Sequence, residues 1–191
     1  MLKSFFFTSV LIYQGVNGFM LMPNSPKCVS QLNLAEGEEV PMDGAFMVID
    51  DGPSDLSYSD VFKGKTVVLF GIPGALTPTC SENQMPGYVE NYDKFMEKGV
   101  DTVACLAVND PFVTSAMSKK VDPDGKILML ADGAASFVKA VGIDVDTGNF
   151  GGIRSRRCAM IVKDGKVEVF GDEGGTGFTD ISSAETMLSK L

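Results

Sequence analysis

The feature that most restricts this chain is a hand-over from an apolar strand to a helix, through a loop of prolines and glycines, with one cysteine just inside the helix. Thr66-Val-Val-Leu-Phe70 is a short continuous apolar run of the kind that forms a buried strand. Gly71-Ile-Pro-Gly-Ala-Leu-Thr-Pro-Thr-Cys80-Ser81 follows it directly. A helical pattern then runs from Thr79 to about Lys98, with Pro86-Gly87 inside it as an expected kink. Thr77 reads as the N-cap and Pro78 as the first helical residue, where a missing N–H costs nothing. Cys80 therefore falls at the third helical position, beside backbone N–H groups without intrahelical partners and at the positive end of the helix dipole. Such surroundings favour a thiolate. The neighbours Thr77, Thr79, Ser81, Glu82 and Asn83 are polar rather than core-forming, so Cys80 reads as an accessible, reactive thiol rather than a buried small hydrophobe.

What activates such a thiol is limited by the rest of the composition. The 191 residues include no histidine, so neither a Cys-His nor a Ser-His-Asp nucleophile is available, and His-ligated zinc or iron is excluded. Activation has to come from local electrostatics. The four cysteines, Cys28, Cys80, Cys105 and Cys158, form no C-x-x-C pair, which removes the zinc ribbon and the dithiol motif. A net charge of −9 argues against a nucleic-acid or anionic-membrane surface; the one basic cluster, Arg154-Ser-Arg-Arg157, is short. Gly64-Lys65-Thr66 lacks the glycine a phosphate-binding loop needs five positions earlier, and its lysine precedes the strand rather than following it. Asp144-Val-Asp-Thr-Gly-Asn149 lacks the glycine and glutamate of a calcium loop and reads as a polar turn.

Other signals alternate between strand and helix. Strands are expected at Phe46–Asp50, Lys65–Ile72, Val100–Val108, Ile127–Ala131, Cys158–Val162 and Lys166–Phe170, the last two joined by the hairpin signal Lys163-Asp-Gly165. Helices are expected at Ser57–Phe62 (capped by Ser57), Pro111–Lys120 (capped by Asp110), Ala134–Val141 and Ser182–Lys190. Two βαβ units, a hairpin and a terminal helix make an α/β domain with a mixed sheet, assigned to residues 36–191. Residues 1–35 read as a targeting presequence or a disordered tail. Lys3 and the run Phe5-Phe-Phe-Thr-Ser-Val-Leu-Ile12 resemble a signal peptide, and the following acid-free stretch resembles a transit segment, which together favour a plastid over a mitochondrion or the secretory pathway. The apolar run is too short and broken for stable membrane insertion.

Pro73-Gly-Ala-Leu-Thr-Pro-Thr-Cys80-Ser with Pro86-Gly-Tyr88 resembles the active-site signature of the peroxiredoxins, most closely the type II, or peroxiredoxin-five-like, group. Ala107-Val-Asn-Asp-Pro-Phe-Val113, Leu130-Ala-Asp-Gly133, Ile153-Arg-Ser-Arg-Arg157 and Ser182-Ser-Ala-Glu185 match that group in the same order. The resemblance implies a thioredoxin-like fold, a central mixed sheet flanked by helices, and thiol-dependent reduction of hydrogen peroxide and organic hydroperoxides without a cofactor or metal. It makes Cys80 the peroxidatic cysteine, Thr77 the hydroxyl that bonds thiolate and peroxide, Pro73 the shield of the sulfur, and Arg157 the distant arginine that returns to it. Cys105 matches the resolving cysteine of plant-like members, the other reading being a buried strand cysteine. The implied partners are glutaredoxin with glutathione, or thioredoxin, and a second copy in a homodimer. A redox sensor relaying oxidation to partner proteins, or a non-enzymatic chaperone or binding module, would use the same fold. Gln84 stands where the group has histidine, Leu76 for phenylalanine, Met117 for tryptophan, Cys158 for an aromatic residue, and Asp180 where animal members resolve.

Overall fold

The computed structural model describes residues 34–191. The expected presequence and Cys28 lie outside the described residues, except for Leu34 and Ala35. Leu34 packs into the core and its N–H donates to Val141 O at 3.0 Å.

In chain order the elements are β1 (Ala45–Ile49), β2 (Pro53–Ser57), α1 (Tyr58–Phe62), β3 (Thr66–Ile72), a π-helical segment (Thr79–Gln84), α2 (Met85–Glu90), α3 (Tyr92–Glu97), β4 (Thr102–Ala107), α4 (Pro111–Val121), β5 (Leu128–Ala131), α5 (Ser136–Ala140), β6 (Asp144–Asp146), a 3-10 turn (Gly148–Phe150), β7 (Ile153–Ser155), β8 (Cys158–Lys163), β9 (Lys166–Asp172) and α6 (Ala184–Lys190). Seven strands form one mixed sheet in the order β2-β1-β5-β4-β3-β8-β9, while β6 and β7 form a separate two-stranded ribbon. β3, β4 and β5 are parallel, successive strands being joined by crossovers through helices; β1, β2, β8 and β9 join antiparallel.

Strand alternation divides the interior in two. Val67 and Leu69 of β3, Ala104 and Leu106 of β4, and Cys158, Met160 and Val162 of β8 face α1 and α5, where Phe46, Tyr58, Phe62 and Phe137 pack ring to ring. Val68, Phe70 and Ile72, Val103, Cys105 and Ala107, and Ala159 and Ile161 point the other way, towards α2, α3, α4 and α6. On that side Phe70 stacks on Tyr88 with centroids 4.0 Å apart. Gly71 sits where β3 meets β8: a Cβ there would lie 2.6 Å from Ser155 Oγ and 2.9 Å from Cys158 Sγ, so only glycine lets the strands close.

The expected caps at Ser57 and Asp110 are present, accepting from Asp60 N, and from Phe112 N and Val113 N. The Lys163-Asp-Gly165 turn has both central residues at positive φ, 48° and 82°, as a tight hairpin demands. The long helix differs from expectation. It opens as a π-helix, with Met85 N bonding to Cys80 O, and the chain breaks at Asn91 rather than kinking at Pro86-Gly87. Pro86 follows the wide turn and sits in the first turn of α2, where its absent N–H is tolerated. At Asn91 the side chain donates to Gly87 O, competing with the helical ladder. β2 and the β6–β7 ribbon were not expected, the latter replacing part of what read as a polar turn.

Candidate active site

Cys80 lies two residues into the helical backbone that starts at Pro78 (φ −53°, ψ −55°). The expected N-cap is absent. Thr77 Oγ1 donates back to Gly74 O at 2.9 Å instead, which folds the loop against itself and leaves the hydroxyl oxygen free to accept. Ala75 N donates to Asn109 Oδ1, tying this loop to the end of β4, and Leu76 holds a left-handed φ of 65° at the exposed turn between them. The expectation of an accessible thiol is also corrected: Cys80 is 0% exposed and belongs to the core beneath α2. Polar neighbours in sequence did not make it a surface residue, because the helix turns that face onto the sheet.

Arg157, on the connection between β7 and β8, reaches this sulfur. Its Nη1 and Nη2 both stand 3.5 Å from Cys80 Sγ, and Nη1 also donates to Gln84 Oε1 at 2.5 Å. Cys80 and Gln84, four residues apart, share the helix face that looks at the guanidinium. Nε donates to Thr176 O at 3.1 Å and Gly177 O at 2.9 Å, and the Phe178 ring lies 5.6 Å from the guanidinium carbon. The 174–178 loop is thus wrapped around the arginine. It is buckled by Glu173, whose carboxylate accepts from Ser182 N, Ser182 Oγ and Thr179 Oγ1. Burial pushes the Glu173 carboxyl up, but these hydrogen bonds outweigh it and hold the group below the usual range.

Arg157 is 2% exposed, and among the described residues it forms no ion pair. A buried guanidinium held only by an amide, two carbonyls and a ring is incompletely compensated. The group it touches that can become an anion is the Cys80 sulfur. Full charges at about 4 Å attract by about 4 kcal/mol at an effective dielectric near 20.

The other two described cysteines are equally buried but differently placed. Cys105 is on the Cys80 side of the sheet; burial first, and the neighbouring Cys80 second, push its thiol well above the ordinary range. Cys158 faces the opposite side, its thiol pushed up to about 12 by burial and then by the Asp172 charge. The strand cysteine expected at Cys158 is therefore a core residue, and the sheet separates it from Cys80.

An open cavity of about 650 Å³ lies in front of the site, lined by Pro73, Gly74, Thr77, Pro78, Thr79, Val145, Asp146, Thr147, Phe150, Arg157, Gly175 and Thr176. The structure thus brings together Cys80, Arg157, Thr77 and Pro73, and sets Cys105 behind them in the core. Gln84, the carbonyls of Thr176 and Gly177, and the ribbon residues are additions. Gln84 was legible from its spacing of four to Cys80, whereas a carbonyl ligand leaves no mark in a side-chain pattern. Among the described residues no group of His, Cys, Asp and Glu is arranged to hold a metal ion, and no helix is long and apolar enough to cross a membrane.

Comparison with known proteins places this site in context. The Redoxin family model matches residues 35–188. Peroxiredoxin-2B of Arabidopsis thaliana is 39% identical over 161 residues, covering 83% of this chain and 98% of that protein. The chloroplastic Peroxiredoxin-2E of the same plant is 36% identical, covering 83% and 70%. Reduced Prx3 from Vibrio vulnificus, solved in complex with hydrogen peroxide, superposes with a TM-score of 0.77 at 42% identity, covering 82% of this chain and 94% of that one.

Proposed function

The chain belongs to the redoxin family and is a peroxiredoxin, a thiol-dependent peroxidase of thioredoxin-like fold, and from that premise we propose that Cys80 is the thiol that reduces the peroxide while Arg157 stabilises the charge that moves. The observation that carries this is the pair of 3.5 Å contacts from both Arg157 amino groups to Cys80 Sγ at a buried site. The thiolate attacks the terminal oxygen of the hydroperoxide. An S–O bond forms as the O–O bond breaks, leaving Cys80 as a sulfenic acid and releasing an alkoxide or hydroxide that takes up a proton. Negative charge passes from sulfur to the leaving oxygen, and Arg157, already oriented by Gln84 and the 174–178 loop, needs no reorganisation to meet it. Thr77, whose one proton is given to Gly74 O, accepts the O–H of the peroxide and aligns it. Pro73 closes the cavity wall beside it and limits water.

Cys105 is the resolving residue in this reading. It shares the Cys80 side of the sheet, but its raised thiol is buried in β4, so disulfide formation requires the π-helical segment to open first. Reduction by thioredoxin, or by glutaredoxin with glutathione, completes the cycle. Leu76, Phe112 and Phe150 are large apolar side chains left exposed, and a homodimer would cover such a surface. The positive start and acid-free stretch of residues 1–35, together with chloroplastic relatives, support plastid targeting.

The test is a Cys80→Ser variant assayed with hydrogen peroxide and either reductant system, alongside mass analysis of dimedone-trapped wild-type protein. Turnover is expected to vanish in the variant and the trapped sulfenic acid to map to Cys80. Retained turnover would sink the assignment.

A further inference from the structure

Cys80, Gln84 and Tyr88 recur at intervals of four, and their polar atoms meet two residues, Arg157 and Ser182. Cys80 Sγ faces Arg157. Tyr88 OH donates to Ser182 O at 2.8 Å. Gln84 touches both: its Oε1 accepts from Arg157 Nη1, and its Nε2 donates to Ser182 Oγ at 3.4 Å and to Gly71 O at 3.5 Å. Ser182 is 0% exposed and each of its polar atoms is engaged. Its one hydroxyl proton goes to Glu173 Oε1 at 2.8 Å, and its N–H donates to the same oxygen at 3.0 Å. Ser182 Oγ therefore has only lone pairs to offer Gln84, and Gly71 O likewise only accepts. Both demand the NH2 end of the amide, so its oxygen is turned to Arg157. With the amide reversed, the NH2 would face a guanidinium and the oxygen two acceptors.

Glu173 holds the arginine by a second route. Glu173 N donates to Arg157 O, and Arg157 N to Gly175 O, so the main chains are tied where the loop begins. The Glu173 carboxylate then closes the loop onto Thr179 and Ser182, and the enclosed carbonyls of Thr176 and Gly177 receive Arg157 Nε. Among the described residues Glu173 forms no ion pair with Arg157.

We propose that Ser182 and Glu173 are positioning residues for peroxide reduction: Ser182 aims the oxygen of Gln84 at Arg157, and Glu173 fixes both Ser182 and the loop that receives Arg157 Nε. This rests on the assignment of Cys80 and Arg157 to the reaction. Neither residue touches the reacting atoms, so each acts only through what it holds. Ser182 works through Gln84, and Glu173 through Ser182 and the loop together.

The experiment reads the full chain in two ways. The first is the second-order rate of oxidation by hydrogen peroxide. The second is hydrogen exchange at the Arg157 Nε–H, followed by nuclear magnetic resonance; the chain has three arginines, Arg154, Arg156 and Arg157, and Arg157→Met identifies the signal. Ser182→Ala and Gln84→Met are each expected to lower the rate by roughly tenfold, since a misplacement of about 1 Å costs up to about a hundredfold. The double variant is expected to fall no more than about twofold below Gln84→Met alone, because the hydroxyl acts through the amide. A double variant that shows the product of the two single effects overturns the proposal. Glu173→Ala is expected to speed Nε–H exchange and slow oxidation, each by roughly tenfold, and Glu173→Gln, which keeps an acceptor for Ser182, to restore most of both. Exchange and rate both unchanged in Glu173→Ala overturn the proposal, and this result stands even where Ser182→Ala does not fold. If wild-type Cys80 is not oxidised by hydrogen peroxide at all, the underlying assignment fails first, and Nε–H exchange still reports separately on the hold over Arg157.

Discussion

The two sides of the central sheet are buried alike and do different work. Cys158 on one side and Cys80 and Cys105 on the other are all 0% exposed, each among apolar neighbours. On the Cys158 side four aromatic rings close around the sheet. On the Cys80 side the Phe70–Tyr88 stack does the same, yet a guanidinium, an amide and a serine are admitted beside it. Burial therefore does not distinguish the three described thiols; the placement of one cation does, since Arg157 stands at the Cys80 sulfur. Consecutive residues make the point again. Arg156 pairs with Asp172 at 2.8 Å, so its charge is answered, while Arg157 turns to Cys80.

The hardest test of this contrast is to remove the cation. Arg157→Met should lower the second-order rate of peroxide reduction by about a hundredfold to a thousandfold, the range seen when one transition-state donor is lost. Stopped-flow oxidation set beside ultraviolet titration of the thiol checks it. If rate and thiolate fraction fell in proportion, Arg157 would act only by ionising the sulfur. A smaller effect separates the two cysteines on one side. Cys105→Ser should leave the peroxide step within about twofold, since that step needs only the electrostatics at Cys80, and should abolish the intramolecular disulfide seen by non-reducing mass analysis. An unchanged disulfide would eliminate Cys105 as the resolving residue.

The smallest effect is expected across the sheet. Cys158→Ala should not alter peroxide kinetics and should cost about 1 kcal/mol at neutral pH from lost packing. Its pH dependence carries the sharper sign. Burial raises this thiol from 9.0 to about 12. The folded chain thus keeps a proton that the unfolded chain releases above 9, and stability is lost as pH rises through that interval. Urea unfolding between pH 9 and 12 should show a shallower alkaline loss in Cys158→Ala than in wild type, by an amount on the order of a few kcal/mol at the upper end.

Much of the frame was readable before folding because its signals are local. Continuous apolar runs marked β3, β4 and β8, and the oxygens of Ser57 and Asp110 marked helix starts by chemistry a few residues long. β2, Pro-Ser-Asp-Leu-Ser, was not, because an edge strand with an exposed face carries no apolar alternation and exists through its register with β1. β6 is three residues, and its pairing with β7 is decided by a turn the sequence disguises as a polar loop. In the site, the cysteine and the arginine were legible through their motif. The burial of Cys80 was not, since it depends on which way the helix faces the sheet, and neither was the diversion of Thr77 to Gly74.

The neutral setting of Arg157 has one more consequence. Every group that grips it (Gln84 Oε1, the carbonyls of Thr176 and Gly177, the face of Phe178) is a dipole or a quadrupole, and none brings a full negative charge. Such ligands fix orientation without spending the charge. The fold has in effect built half of an ion pair around Arg157, and in the proposed reaction the other half comes first as thiolate and then as departing oxygen.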